Sequence, residues 1–490
     1  MSSSFSRVQA EERAVDEKVS TGVDGLDPLL EGGFPRGSVI LVAGSPGTGK
    51  TVLSAQFIVR GADVGEPGIY VSFTEDRDRF IRNMSRHLGR DLKGLEDQRK
   101  ISILDLSSVK GEGVSANVEL ILDEVESLQA KRLVIDSFSA MTESFKEPLD
   151  VRAMARTVLG RLPRRMGCTT IVIEEVPTTE PIGGLGPEEF VSDGIIVLRR
   201  KWFEERFLRE LEIVKMRGVA FEESRLVFTL KGGLRAFPPA KPKPIEKPRP
   251  FEPIQDTHDK FSTGIGELDQ VLGGGYPKGS GVLFEVAEKI STTEYHMLAG
   301  PVVMNSLAQG RGVILVPTIG VDPEFLRIRA PEYGATEEEM TRQARVCVPA
   351  PIVVGKPRPS VVVFEGKDLQ KDYEQWLRVE QELIRQTGCP VLCVTGLDTL
   401  VSLYGPEACE RVLSADIARI RNRGAIAILI AKPGNEMLVR KLGAMAEVHL
   451  KLEREHGSLL LHGVKPRTSL LAVEADTSKG YLMPKLTPIV

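Results

Sequence analysis

The chain has 490 residues, 41% hydrophobic and 27% charged, with a formal net charge of −4 at pH 7. That length is too great for one core and predicts two to four domains. The near-balanced charge excludes a global attraction to nucleic acid or anionic membrane, although a local basic patch remains compatible with it. No apolar run reaches the roughly 18 residues of a membrane span, and the polar opening Met1–Ser20 has no apolar signal core, so a cytoplasmic protein is expected.

Residues 1–19 read as a flexible tail of mixed charge. A first domain, 20–236, opens at Ser20-Thr21-Gly22 with Leu26-Asp27, and Gly32-Gly33-Phe34-Pro35-Arg36-Gly37 turns the chain into an apolar run, Val39–Ala43. That run ends in Gly44-Ser45-Pro46-Gly47-Thr48-Gly49-Lys50-Thr51, and Val52–Phe57 then reads as a helix. Strand, glycine-rich loop and helix in this order form a phosphate-binding P-loop. Backbone N–H groups turn inward around phosphate oxygens, the helix N-terminus adds partial positive charge, and Lys50 adds a full one. The Thr51 hydroxyl reaches Mg²⁺, and the segment from Gly44 to Val52 forms the expected ATP cradle. The bland reading is a glycine-rich turn that binds nothing.

Beyond the loop, strand-like and helix-like pieces alternate: strand Ile69–Phe73, helix Arg77–Leu88, strand Ile101–Leu104, and a helix near Val118–Leu128. Strand Leu133–Ile135, helix Val151–Arg165 and strand Thr169–Ile173 follow, with Ile195–Leu198 and Leu211–Val214 completing the sheet. Such alternation predicts a mostly parallel α/β sheet flanked by helices, with ligands at the carboxyl ends of the strands. Arg132–Ile135 ends abruptly in Asp136, the expected magnesium-side carboxylate. The strand through Tyr70 is expected beside the P-loop and ends in Thr74-Glu75-Asp76. Glu75 is preferred over Asp76 as the group that orients water, with Lys50 compensating the developing charge. Either acid alone also suits the start of a helix at Arg77.

Residues 237–257 read as a linker, with seven prolines from Pro238 to Pro253 interleaved with lysine and arginine. Its composition suits a semi-rigid spacer better than a proline-recognition ligand. The chain then repeats. Ser262–Ser280 matches Ser20–Ser38 at an offset of 242 with eleven of nineteen positions identical, so 258–490 is a second copy of one domain. At the same offset Gly44, Gly49, Lys50 and Thr51 become Val286, Ser291, Thr292 and Thr293. The segment Glu285–Lys289 is expected to put acidic groups where phosphate would lie, and Thr395 stands where the magnesium-side acid would be. This half reads as a catalytically silent copy. Among five cysteines, Cys389 and Cys393 form a Cys-x-x-x-Cys in an apolar run, which reads as buried reduced thiols in preference to a metal or redox pair.

The motifs Ser20-Thr21-Gly22, Gly44–Thr51, Val134-Ile135-Asp136-Ser137, Glu188–Asp193 and Ile213-Val214-Lys215-Met216-Arg217-Gly218 together resemble the RecA-fold ATPases of the KaiC and RadA type, closer to KaiC. The resemblance implies two tandem RecA-like P-loop NTPase domains. It also implies a homo-oligomeric ring, usually a hexamer, in which Lys215 and Arg217 reach ATP on a neighbouring subunit. On spacing alone these two alternate along a strand and share a face; their plain alternative is a pair of solvated edge charges. Two departures stand out: Thr74-Glu75-Asp76 replaces two adjacent glutamates, and the second half lacks a P-loop, which speaks against autokinase activity. A silent second half is also similar to archaeal regulators of the GvpD type. A DNA-threading role is not favoured, because Thr178–Glu189 carries no lysine or arginine. The best basic patch is Arg152, Arg156, Arg161, Arg164 and Arg165, for which a solvated helix face is the simpler account. Lys465-Pro466-Arg467 repeats the Lys-x-Arg spacing and either persists structurally or docks on an active site. The reading is a regulatory or signalling ATPase with an unidentified protein partner. Its rivals are a nucleotide switch or scaffold with little turnover and a RadA-like recombination accessory factor.

Overall fold

A computed structural model describes residues 18–107, 114–142, 167–176, 192–239, 244–350 and 358–490. The helix expected at 151–165, the five arginines on it, the loop 178–189 and Glu188-Glu189-Phe190 lie outside the described residues. The chain forms two compact units, one of residues up to Pro238 with Ile489–Val490, the other Pro239–Pro488.

In the first unit a small ladder pairs β1 (Lys18–Val19) with β2 (Phe34–Pro35). The main sheet contains β3 (Val39–Gly44), β4 (Gly68–Ser72), β5 (Ile101–Asp105), β6 (Arg132–Asp136) and β7 (Thr169–Glu175). It continues with β8 (Gly194–Phe203), β9 (Arg206–Met216), β10 (Arg225–Thr229) and β11 (Arg235–Phe237), in the order 11-10-9-8-3-7-6-4-5. Strands β8, β3, β7, β6, β4 and β5 run parallel; β8 and β9 form an antiparallel hairpin that β10 and β11 extend. The expected neighbourhood of the Tyr70 strand is therefore corrected. P-loop strand β3 lies between β8 and β7, and β6 and β7 separate it from β4.

Every residue of β3 is buried, as a central parallel strand covered on both faces requires. Ile40 and Val42 join one core with Leu53 and Phe57 of α1 (Lys50–Asp63); Val39, Leu41 and Ala43 join the other with Ile121 and Val125 from the helix Val114–Leu128. The period of two along the strand thus assigns alternate side chains to opposite layers. Helix α2 (Arg77–Leu88) starts on Asp76, whose side chain accepts from Arg79 N at 3.0 Å, an ordinary N-cap.

Arg132 ties the layers together. Its side chain is 1% exposed, donates to Glu66 at 2.7 and 2.9 Å and to the Ser20 and Phe57 carbonyls at 2.9 and 2.8 Å, and lies over the Phe57 ring. Burial alone would raise the Glu66 carboxyl, but hydrogen bonds from Arg36 and Arg132 outweigh it and hold the group below its ordinary value. Such a depressed carboxyl stabilises the fold above the usual glutamate range, and that contribution is lost as pH falls through its folded value. Glu66→Ala strands a buried guanidinium and is expected to lower unfolding free energy by about 3–5 kcal/mol. Urea denaturation measures it; a change within experimental error would show that Arg132 finds compensation elsewhere.

The second unit repeats the plan. Its ladder pairs β12 (Lys260–Phe261) with β13 (Tyr276–Pro277). Its sheet uses β14 (Ser280–Val286), β15 (Val313–Val316), β16 (Ala344–Pro349), β17 (Val361–Phe364) and β18 (Leu392–Gly396). The remaining strands are β19 (Ile426–Ala431), β20 (Val448–Glu455), β21 (Ser458–Lys465), β22 (Leu471–Asp476) and β23 (Met483–Pro488), in the order 17-16-15-18-19-14-20-21-22-23. Apart from the additional edge strand β17, this is the strand order of the first sheet. The two sheets are mixed, mostly parallel and flanked by helices, as tandem RecA-like domains require.

The expected linker differs in part. From residue 244 the chain lies on the second unit: Arg249 N donates to Gly480 O, Ile254 N to Asn305 Oδ1, and Phe251 is buried in that unit's core. Two apolar side chains, Phe251 and Ile254, supply a reason to dock that proline content conceals.

Candidate nucleotide site

The P-loop closes on itself between β3 and α1. Ser45 O accepts from Thr48 N and Oγ1 at 3.3 and 2.8 Å, and Lys50 Nζ donates to Gly44 O and Ser45 O at 2.7 and 3.1 Å. Pro46 and Gly47 are exposed at the tip, while Thr48, Lys50 and Val52 are buried. Gly49 sits at φ 110° immediately before the helix, a conformation costly for any residue with a Cβ. This turn aims the helix N-terminus into the loop.

The structure brings Thr51 to Asp136, with Thr51 Oγ1 donating to Asp136 Oδ2 at 3.0 Å. Tyr70 Oη donates to the same oxygen at 2.5 Å. Burial raises the Asp136 carboxyl, against the hydrogen bonds of Tyr70 and Thr51 and the charge of Lys50. Burial lowers Lys50, opposed by the charges of Glu175, Asp136 and Glu174. A carboxylate and a hydroxyl in contact form a hard oxygen pair of the kind Mg²⁺ takes alongside phosphate and water.

The two candidate water-orienting acids separate. Asp76 is committed to capping α2 through the Arg79 amide. Glu75 accepts from Asn83 Nδ2 at 3.0 Å and pairs with Arg79 at 3.4 Å, while its backbone is pinned by Ser72 Oγ. Its charge still reaches the Tyr70 phenol.

Lys215 and Arg217 lie at the other end of the sheet. Lys215 pairs in register with Ile195, which stands opposite Leu41, about 10 Å along the strand from Gly44. Lys215 Nζ donates to Ser192 O at 2.8 Å, and Arg217 Nη1 reaches Asp193 Oδ1 at 3.3 Å. The expected alternation on one strand is corrected, because β9 ends at Met216 and Arg217 lies just beyond it. The two cations nevertheless converge on one short segment, 192–193, away from their own P-loop.

Sequence reasoning missed three groups. Glu175 ends β7 directly opposite Gly44; an apolar strand ending in two acids was the available signal. Arg209 Nη1 donates to Gly47 O at 3.3 Å, and a Cβ on Gly47 would meet the Arg200 guanidinium at 3.8 Å. Both arginines come from the β8–β9 hairpin, and its fold across the loop has no local signature.

In the second unit the helix Thr292–Ala308 starts on Ser291 at φ −74° with a capping box to Glu294, an ordinary entry where the first unit has left-handed Gly49. Glu285 is held by His449 at 2.5 Å and Lys451 at 3.6 Å, not projected into a phosphate cradle as its sequence position suggested. Lys432 follows β19 where Glu175 ends β7, and Asp398 accepts from Ile319 N. Lys465 Nζ donates to the carbonyls of Gly443 and Ala444. The five cysteines are free. No helix among the described residues is long and apolar enough to cross a membrane.

The family model for the KaiC ATPase matches residues 19–237, and that for GvpD basic region 2 matches 250–329. The circadian clock oscillator protein KaiC of Synechococcus elongatus is 33% identical over 336 residues, covering 66% of this chain and 62% of that protein. KaiC of Thermostichus vulcanus is 31% identical, covering 67% and 62%. The chain therefore spans less than two thirds of the length of these curated relatives. A KaiC-like protein of Pyrococcus horikoshii, known from a crystal structure, is 34% identical and matches over 45% of this chain and 99% of its own, with a TM-score of 0.41. With its P-loop, Asp136 strand and mostly parallel sheet in place, the segment 19–237 is a KaiC-type ATPase domain.

Proposed function

We propose that the first domain binds ATP with Mg²⁺ and hydrolyses it at the contacts of a homo-oligomeric ring, and that the second domain is a silent copy serving regulation. The observation that carries this reading is the joining of Thr51 to Asp136 beneath the P-loop. Thr51 and Asp136 would hold Mg²⁺, which neutralises charge developing on the phosphates. The backbone of residues 44–49 and Lys50 bind the phosphates, while Arg200 and Arg209 supply positive charge beside the loop.

The ring is supported by the position of Lys215 and Arg217, which cannot serve their own loop yet gather at one edge. The family resemblance supports a hexamer as the size of that ring. Gel filtration with and without ATP, with turnover measured on the same fractions, tests it; full activity in monomer fractions would remove the ring.

Glu75 is the proposed water-orienting group, and swinging away from Asn83 would free its carboxylate. Glu75→Gln is expected to lower turnover by about 100-fold while preserving ATP affinity. Unchanged turnover would transfer the role, with Glu175 as the next acid in reach, or favour a switch with little hydrolysis. The output is proposed to be a change in how the second domain meets a regulatory protein. A recombination role would instead show as ATP- and salt-dependent binding of single-stranded DNA.

A further inference from the structure

Helix Thr292–Ala308 of the second unit corresponds to α1 at the offset of 242, but Phe57 and Ile58, both buried in the first unit's core, become Ala299 and Gly300. Two large side chains are thus lost from the face that packs on the sheet. The space is partly taken by Tyr333, from the 3₁₀ turn Ala330–Tyr333, whose ring approaches so closely that a Cβ on Gly300 would stand 2.6 Å from it. Between that helix, the sheet and the segment 315–340 remains a cavity of about 90 Å³, lined by His296, Val303, Met304, Leu326, Met340 and Ile430.

The cavity wall is not purely apolar. Tyr333 is 5% exposed, and among the described residues its Oη makes no hydrogen bond of ordinary geometry, although the Arg329 guanidinium stands near enough to act on it. Arg329 Nε is likewise unsatisfied, although the same guanidinium pairs with Glu332 at 2.7 Å. A buried polar atom without a partner costs about 1–3 kcal/mol, which a ligand acceptor would recover. The local potential is positive: burial, with the charges of Arg329 and Lys432, pushes the neighbouring His296 down to about 4, so the imidazole is neutral near pH 7.

We propose that this cavity is a binding site for a small monocarboxylate with a branched or ring-shaped apolar body, its carboxylate accepting from Tyr333 Oη and Arg329 Nε. A dry cavity of roughly 150 Å³ takes benzene, so this one suits a body of about four or five carbons with its head group at the Arg329 side. The site is a product of the duplication, since the same helix face in the first unit is filled by Phe57 and Ile58.

The test titrates the full chain with 3-methylbutanoate and with its uncharged amide, 3-methylbutanamide, by calorimetry. Saturable binding of the acid is expected, at least tenfold tighter than the amide, with nuclear Overhauser contacts from the ligand methyls to Met304 and Met340. Tyr333→Phe is expected to weaken the acid about tenfold. Ala299→Phe, which restores the first unit's residue, is expected to abolish binding while thermal denaturation stays cooperative. If Ala299→Phe fails to fold, Tyr333→Phe and the methyl contacts still decide the matter. Absence of saturable binding, equal binding of acid and amide, or affinity unchanged by Tyr333→Phe would each overturn the proposal.

Discussion

Lys50→Ala is expected to abolish ATP binding, weakening it by about 10³-fold or more. The ammonium is buried against the Gly44 and Ser45 carbonyls, where phosphate oxygens would take their place. Hydrogen bonds between charged partners contribute about 1.5–3 kcal/mol each, and every 1.4 kcal/mol is tenfold in affinity. Two such bonds alone give two to four decades. The loss is compounded because Asp136, Glu174 and Glu175 act on Lys50, and without it they would face a polyanion uncompensated. Equilibrium binding of a fluorescent ATP analogue measures the effect, with circular dichroism as the folding control. Tight binding by a folded Lys50→Ala protein would sink the account of the P-loop.

Arg217→Ala is expected to leave ATP binding intact and to lower turnover by about 10³-fold, the lower range for a guanidinium supplied to phosphoryl transfer from another subunit. Among the described residues the exposed Arg217 side chain pairs with Asp193 alone, so its removal should barely change stability. Mixing provides the decisive measurement. In a ring with head-to-tail contacts, equal amounts of Lys50→Ala and Arg217→Ala chains place an intact P-loop against an intact Arg217 at about one contact in four. Turnover of the mixture should therefore recover to about a quarter of the unmodified level. No recovery, with mixed rings verified by differential tagging, would return Arg217 to the status of an edge charge.

What the sequence made legible was local. The P-loop, the strand ending in Asp136 and the helix from Arg77 are each contiguous patterns, and the fold places them nearly where their spacing did. The second sheet's plan followed from the repeat at 242, since sequence identity carries topology with it. Strand adjacency was not legible. Chain order put the Tyr70 strand beside the P-loop, whereas parallel crossovers insert β6 and β7 between them, and so Glu175 rather than Glu75 faces Gly44 across the ladder. Arg200 and Arg209 carry no local signal for a related reason: a ten-residue strand and its hairpin partner bring them to the loop, Arg209 from 162 residues away. Asp76 illustrates a competition between roles, and helix capping occupies its carboxylate. Phe251 and Ile254 show two apolar residues overriding the extended tendency of a proline-rich segment.

The entry into the helix at Ser291 makes the second domain's change hard to reverse by single steps. A lysine grafted at Thr292 would follow an extended serine in a capping box, where Lys50 follows a left-handed glycine. It would also meet the Lys432 ammonium where Lys50 has the Glu175 carboxylate. Val286→Gly and Ser291→Gly would be needed to reopen the loop, and Lys432→Glu to reverse the field, before Thr292→Lys gained anything. Each of these changes made alone discards a working contact without giving a nucleotide site in return. As the silent copy proposed above, the second domain would sit behind a ratchet, free to acquire ligands of another kind but isolated from the nucleotide of its sister domain.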